Sequence, residues 1–424
     1  MKKMILTAGV TALALLTGGV IGSGSIGSSV EAAQATLKFK DVPSTHWAAA
    51  AINSAVEQGF FQGYADGTFK PSSPVTKAEM ASILGRLTDQ PNAAMQETNN
   101  FTDVPEWAKS GVSAAIAKGF ISPANYNGKL DAKASLTRGE MATWLAQGLS
   151  VVDSDYKQAL SDVTNTVIPA KEYFTGKLAS NQKNAVAVAL GTGLMSVAND
   201  KNFGMDRTTT RAEVAVLIAR YASVAKTKPA DFQGLNELRA VGLTGTNLSI
   251  IAPQYKKAGQ DKFPESYDYS KVTDNFAKIR NKELTTVTSY ADLKIKNWII
   301  INPYVESTNR SIYYPVFVDE KDKLLRGAYY SFTEFDISIK NSMNQLQGGS
   351  LINSPTINAL TSPSSKAFSE YGPKHINDLL GPKGVFAVKN PIYWGQGLLH
   401  FDKSLNPGVR LTLKDGTNYN VIPN

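Results

Sequence analysis

The chain has no cysteine among its 424 residues and only three histidines. The first absence excludes disulfides, thiolate nucleophiles and Cys-ligated metal. It also suits a protein exported by a Gram-positive bacterium. His375 and His400, the two histidines of the second half, lack the His-x-x-x-His spacing of a zinc site and read as surface or structural residues. Charge is modest at 19%, but 42% hydrophobic residues rule out wholesale disorder. After residue 20 no apolar run is long enough to span a bilayer. Residues 230–424 carry no Gly-x-Ser-x-Gly elbow, P-loop or dinucleotide fingerprint. No cofactor, metal or catalytic residue is therefore assigned.

The N-terminus carries the compartment signal. Lys2 and Lys3 precede the uncharged run Met4 to Val20, and Val30-Glu31-Ala32 places small residues where a signal peptidase needs them. Residues 1–32 are expected to be a secretory signal, leaving no membrane span in the mature chain. Its removal lowers the net charge from +8 to +7, still basic and suited to anionic partners such as wall polymers. There is no base-stacking module or dense Lys/Arg stripe, so nucleic acid is not an expected partner. The length suits two or three domains.

Self-comparison reveals a unit repeated three times. Phe39-Lys40-Asp41-Val42-Pro43 returns as Phe101-Thr102-Asp103-Val104-Pro105 and, weakly, as Leu160-Ser161-Asp162-Val163. Trp47 and Trp107 follow in the first two copies; the third has no Trp there. Each copy then has an Ala-rich amphipathic stretch ending in Gly59, Gly119 or Gly193, where glycine takes the positive φ that stops a helix. The tetrads Thr76-Lys77-Ala78-Glu79, Thr137-Arg138-Gly139-Glu140 and Thr210-Arg211-Ala212-Glu213 lie 17, 18 and 17 residues further on. Thr-x-x-Glu before an apolar-periodic run is a capping box, so each unit is a helix, a loop and a second, capped helix. The third copy is stretched, with 31 residues from Asp162 to Gly193 against 18 and 16 in the others. One helix pair cannot bury its own apolar face, whereas three pairs can form a bundle.

A helix N-terminus disfavours a nearby cation by about 0.3–1 kcal/mol. Yet Lys77, Arg138 and Arg211 each stand one residue inside a capped end. Either an anion arrives there or these side chains reach solvent or a nearby acid. Trp47 and Trp107 read either as core or groove-wall residues or as sugar-stacking platforms. Asp41, Asp103 and Asp162 read either as caps of the first helices or as partners of these cations, and Asp66-Gly67 as a tight turn.

Taken together, Phe39-x-Asp41-Val42, Trp47, Gly59, Tyr64-x-Asp66-Gly67-Thr68-Phe69-x-Pro71 and the Thr-x-x-Glu tetrads resemble the surface-layer homology (SLH) domain over residues 38–223. The resemblance implies an all-α pseudo-threefold bundle with repeats at 38–90, 100–152 and 159–223. It further implies secretion to the cell wall or S-layer of a Gram-positive bacterium. There the domain binds secondary cell-wall polysaccharide bearing pyruvyl or other acidic groups, in grooves between repeats. The ligand-binding set it implies is Lys77, Arg138, Arg211, Trp47, Trp107, Gly59, Gly119 and Gly193.

Residues 224–230 read as a linker and 231–424 as a separate α+β or β-rich domain. The second half holds 23 of the 39 aromatics, enough for a second core. Trp298 to Ile301 reads as a buried strand. Ser311 to Val318 with Leu324 to Phe332, and Val409 to Leu413 with Thr417 to Val421, read as hairpins. Helices are expected around 274–285 and 367–380. The expected role is binding and structural, with self-association in a surface layer. The alternative is a wall-anchored hydrolase whose paired carboxylates lie in 231–424.

Overall fold

The computed structural model describes residues 39–87, 89, 91–92, 100–285, 290–306, 309–319, 327–341, 356–381, 383–388, 390–401 and 408–423. The expected signal sequence lies outside the described residues. None of the described helices is long and apolar enough to cross a membrane.

The repeat region is helical, in the order α1 (Ala49–Glu57), α2 (Lys77–Gly85), α3 (Lys109–Ala117), α4 (Arg138–Val152), α5 (Ser154–Asp162), α6 (Lys171–Phe174), α7 (Lys183–Gly191) and α8 (Arg211–Val224). Helices α1, α3 and α7 open the three repeats' helix pairs, and α2, α4 and α8 close them. Gly59, Gly119 and Gly193 follow the first helices at φ values of +76°, +76° and +69°. In the first two copies the residue after the glycine donates its N–H five positions back, from Phe60 to Ala55 and from Phe120 to Ala115, which seals the helix end.

Second and first helices pack across repeats: α2 on α3, α4 on α7, and α8 back on α1. The backbone closes the same circuit. Val75 N–H donates to Thr209 O, Thr209 N–H to Leu136 O, and Leu136 N–H to Val75 O, at 2.8–2.9 Å.

Two features of the third repeat differ from the sequence reading. Helix α5 and the turn Val163–Asn165 are an insertion that packs on α4, α7 and the helix Gln233–Thr244 of the second half. Asp162, at the end of α5, therefore does not open the repeat. Glu172 does what Asp41 and Asp103 do. Asp41 accepts the backbone N–H groups of Phe69 and Lys70, and Asp103 those of Leu130 and Ala132. Glu172 accepts those of Phe203 and Gly204. These carboxylates pin the distal loop rather than cap a first helix.

The second half contributes α9 (Gln233–Thr244), α10 (Leu248–Ile251), α11 (Tyr314–Phe317) and α12 (Lys366–Tyr371), with strands β1 (Tyr255–Lys257), β2 (Val272–Thr273), β3 (Ala291–Ile301), β4 (Ala328–Ile339), β5 (Ile392–His400), β6 (Val409–Thr412) and β7 (Asn418–Pro423). One sheet is antiparallel, ordered β3-β4-β5; in the other β7 is flanked by β1 and β2 and pairs with β6. The β6–β7 hairpin turns at Asp415-Gly416. The hairpin between 311–318 and 324–332 is not formed: Tyr314–Phe317 is a helical turn, and β4 pairs with β3 and β5. The expected helices shrink to a short 3-10 turn at Phe276–Lys278, and to α12 with a second turn at Ile376–Leu379.

The described residues cluster as one compact unit, without a break at 224–230. The reason is visible in β3, which is covered on both faces. Ile299 and Ile301 join a core continuous with Val186, Val188 and Leu194 of the third repeat. Trp298 and Ile300 face a second core with Phe276 and Tyr419. A bulge between Ile295 and Asn297 reverses the alternation, so Leu293 and Ile295 also face the second core. Helix α9 lies on α7, with Gly191 against Leu235. Arg239 on α9 holds Asp155 and Asp162 of α5 at 2.9 Å. Tyr313 Oη donates to Val167 O at 3.0 Å, and Arg280 Nη2 to Asn165 O at 2.6 Å. The expected separate domain is thus built into the flank of the third repeat.

Candidate functional site

Each second helix begins with a complete capping box. The Thr Oγ1 of residues 76, 137 and 210 accepts the N–H of Glu79, Glu140 and Glu213, and each Glu Oε2 accepts its Thr N–H in return. The residue after each Thr is tied to the neighbouring repeat. Lys77 N–H donates to Ala134 O, Arg138 N–H to Arg207 O, and Arg211 N–H to Ser73 O, all at 2.9 Å. The three cations are thereby aimed out of their own repeat, and each is about nine-tenths buried.

Arg211 crosses to the first repeat. Its Nε donates to Phe69 O and its Nη2 to Gln62 O, both at 2.8 Å, and the guanidinium lies 4.6–5.1 Å from the Phe69, Phe61 and Tyr64 rings. Arg138 does the same in the third repeat, donating to Phe203 O at 2.8 Å and Ser196 O at 2.7 Å, with its carbon 5.0 Å over the Phe203 ring. In both, Nη1 has no partner among the described residues. Burial depresses both guanidinium pKa values, yet arginine stays charged. Lys77 enters the second repeat differently: its Nζ is 2.6 Å from Glu140 Oε1 and 4.0 Å from Asp131.

A crevice of about 200 Å³ opens at Arg211. Its walls are the loop Phe60-Phe61-Gln62 after Gly59, the α2 residues Glu79, Ser82, Ile83 and Arg86, and Trp107 of the second repeat. Arg86 Nη1 donates to Gly59 O and Phe60 O, closing one end. Sequence-distant residues from all three repeats therefore meet at one opening. Trp107 and Trp47 are 62% and 64% exposed, which removes the packed-core reading of both. A Cβ on Gly59 or Gly193 would meet nothing within 4 Å, so only their left-handed φ demands glycine.

The second half offers no comparable constellation among the described residues. Glu237 is buried and accepts from Asn247, Ser311 and Gln233, and Glu334 is buried and accepts from Asn297. His375 lies over the Phe368 ring, and the His400 carbonyl accepts from Tyr255 Oη.

Residues 38–81 and 100–142 match the S-layer homology domain, so the first two repeats are S-layer homology repeats. The stretched third repeat falls outside those segments. Among curated relatives, a cellulosome-anchoring protein of Acetivibrio thermocellus is 36% identical over 90 residues, 20% of either chain. An S-layer protein of Bacillus licheniformis is 25% identical over 246 residues, covering 54% of this chain and 27% of its own. An S-layer protein of Bacillus thuringiensis subsp. finitimus is 24% identical over 272 residues, 62% of this chain and 31% of its own. That share exceeds what residues 1–224 contain, so this similarity runs past the repeats into the second half. The chain spans less than a third of the length of these relatives.

Proposed function

We propose that the protein is an S-layer-type component of a Gram-positive cell surface, held non-covalently to an acidic, pyruvylated secondary wall polysaccharide. Its three repeats act as a pseudo-threefold bundle, and the crevices between them are the docking sites. One observation carries the reading: Arg211 crosses from the third repeat to an open crevice walled by the first repeat and by exposed Trp107 of the second. A fixed guanidinium suits a carboxylate, an exposed indole suits a sugar face, and the open space above Gly59 lets the ligand approach the backbone. The cellulosome-anchoring and S-layer names of the relatives support anchoring, and the similarity beyond residue 224 supports a surface-layer role for the second half.

The test is co-sedimentation of the purified protein with walls that retain the pyruvylated polymer and with walls stripped of it. Selective pelleting with the first is expected, and equal pelleting with both would reject the ligand. Lys77→Ala, Arg138→Ala and Arg211→Ala combined should weaken binding at least about 10-fold, since a hydrogen bond to a charged group contributes about 1.5–3 kcal/mol. Circular dichroism checks that the helices survive.

A further inference from the structure

We infer that two of the three inter-repeat cations, Arg211 and Arg138, bind acidic groups, and that Glu140 with Asp131 closes the Lys77 site to anions. This rests on the wall-polymer reading and assigns its stoichiometry. Arg211 and Arg138 are held by backbone carbonyls, neutral dipoles that fix the guanidinium without cancelling its charge. Each keeps Nη1 for a ligand. Around Arg138 the positive potential is reinforced by Arg207 and Arg220. The opposing Glu213 is already taken by Arg207 at 2.6 Å, and Glu172 by two backbone N–H groups. At Arg211 the acids among the described residues are Glu79, held in its capping box, and Asp41, held by the Phe69 and Lys70 N–H groups, and Arg86 lines the same crevice.

The Lys77 site has the opposite balance. One ammonium faces two carboxylates, Glu140 at 2.6 Å and Asp131 at 4.0 Å. An incoming carboxylate would have to displace a contact ion pair whose acid is itself locked in a capping box. Tyr126 reports the same local sign: burial, and then Glu140 and Asp131, push its hydroxyl pKa up to about 12 against the Trp144 hydrogen bond. Trp placement agrees. Trp107 lines the Arg211 crevice beside the α2–α3 contact; by the same ring order the α8–α1 contact would set Trp47 on the Arg138 side, and the α4–α7 contact would set no Trp on the Lys77 side, because the third repeat lacks that Trp.

The test is isothermal titration of the purified protein with a synthetic monosaccharide glycoside carrying a pyruvyl ketal. The native chain should bind two per molecule, and the Trp107 indole NMR signal should shift during the titration. Lys77→Met should still bind two. Glu140→Gln combined with Asp131→Asn should bind a third, since Gln can still cap the helix and Asn tolerates the left-handed φ of residue 131. Arg211→Ala and Arg138→Ala should each remove one site. If either fails to fold, the Lys77 and Glu140 variants decide alone. Three sites in the native chain, a site lost in Lys77→Met, or none gained on neutralising Glu140 and Asp131 overturns the assignment. No binding at all by the native chain overturns the wall-polymer reading instead.

Discussion

Gly242→Ala tests whether the two halves share one core. Gly242 lies on α9, where an added Cβ would come within 1.9 Å of Asp162 O and 3.0 Å of Val163 Cα. Both neighbours are backbone and cannot rotate away. Reaching ordinary contact requires α9 to move about 1.5 Å off the turn after α5, and overpacking of that kind costs about 1–3 kcal/mol. The shift also pulls Arg239, one turn earlier, away from Asp155 and Asp162, losing a further charged pair of about 1.5–3 kcal/mol. Alanine's helix propensity returns about 1 kcal/mol. The net expectation is a loss of about 1.5–5 kcal/mol, or roughly 2–6 °C in Tm for a unit of this size. Guanidinium unfolding followed by tryptophan fluorescence reads it, because buried Trp144 and Trp298 lie on opposite sides of the junction. Both should report one transition, displaced to lower denaturant. Leu243→Ala, at an exposed neighbour, should change little. A Gly242→Ala protein as stable as the native one, or one that first unfolds only around Trp298, would refute the shared core.

Arg239→Ala should cost about 2–4 kcal/mol because it strands Asp162, only 6% exposed, and Asp162→Asn on that background should recover part of the loss in the same unfolding assay. Thr137→Ala should cost about 1 kcal/mol through the lost cap, read by thermal denaturation. Gly119→Ala should lose about 1–2 kcal/mol, with Gly119→Asn losing less, since the φ of +76° is left-handed. Burial raises the Glu334 carboxyl pKa above its ordinary 4.5, outweighing Lys296, Asn297 and Arg280. The native state then binds that proton more tightly than the unfolded chain, so Glu334 makes stability fall as pH rises from 4.5 through the elevated value. Glu334→Gln should flatten that slope in unfolding measured across pH.

What was legible in the sequence is local chemistry. A capping box needs only Thr, Glu and a spacing of three, and a helix stop needs only a glycine at positive φ. Both stand where the repeats place them. The cations' position one residue inside the cap was equally readable, but their partners were not. Phe69 O and Gln62 O lie more than 140 residues from Arg211 in the chain. The third repeat was misphased because Glu172 replaces the aspartate with a longer carboxylate and α5 intrudes ahead of it. The false hairpin at 311–318 carried its own warning in Pro315, which cannot donate to a central ladder and here starts a helical turn. The β3–β4–β5 order was beyond reach, since its pairings join segments far apart in sequence.

The absence of a hinge after α8 has a mechanical consequence. A protein tethered through a loose linker samples many tilts, and drag on its outer part loads only the tether. Here α9, Tyr313 and Arg280 clamp the second half onto the third repeat. Force applied to the sheets of that half would spread over that whole seam before reaching the crevices. If the repeats are seated on a wall polymer as proposed, the molecules would all present the same face at the same angle.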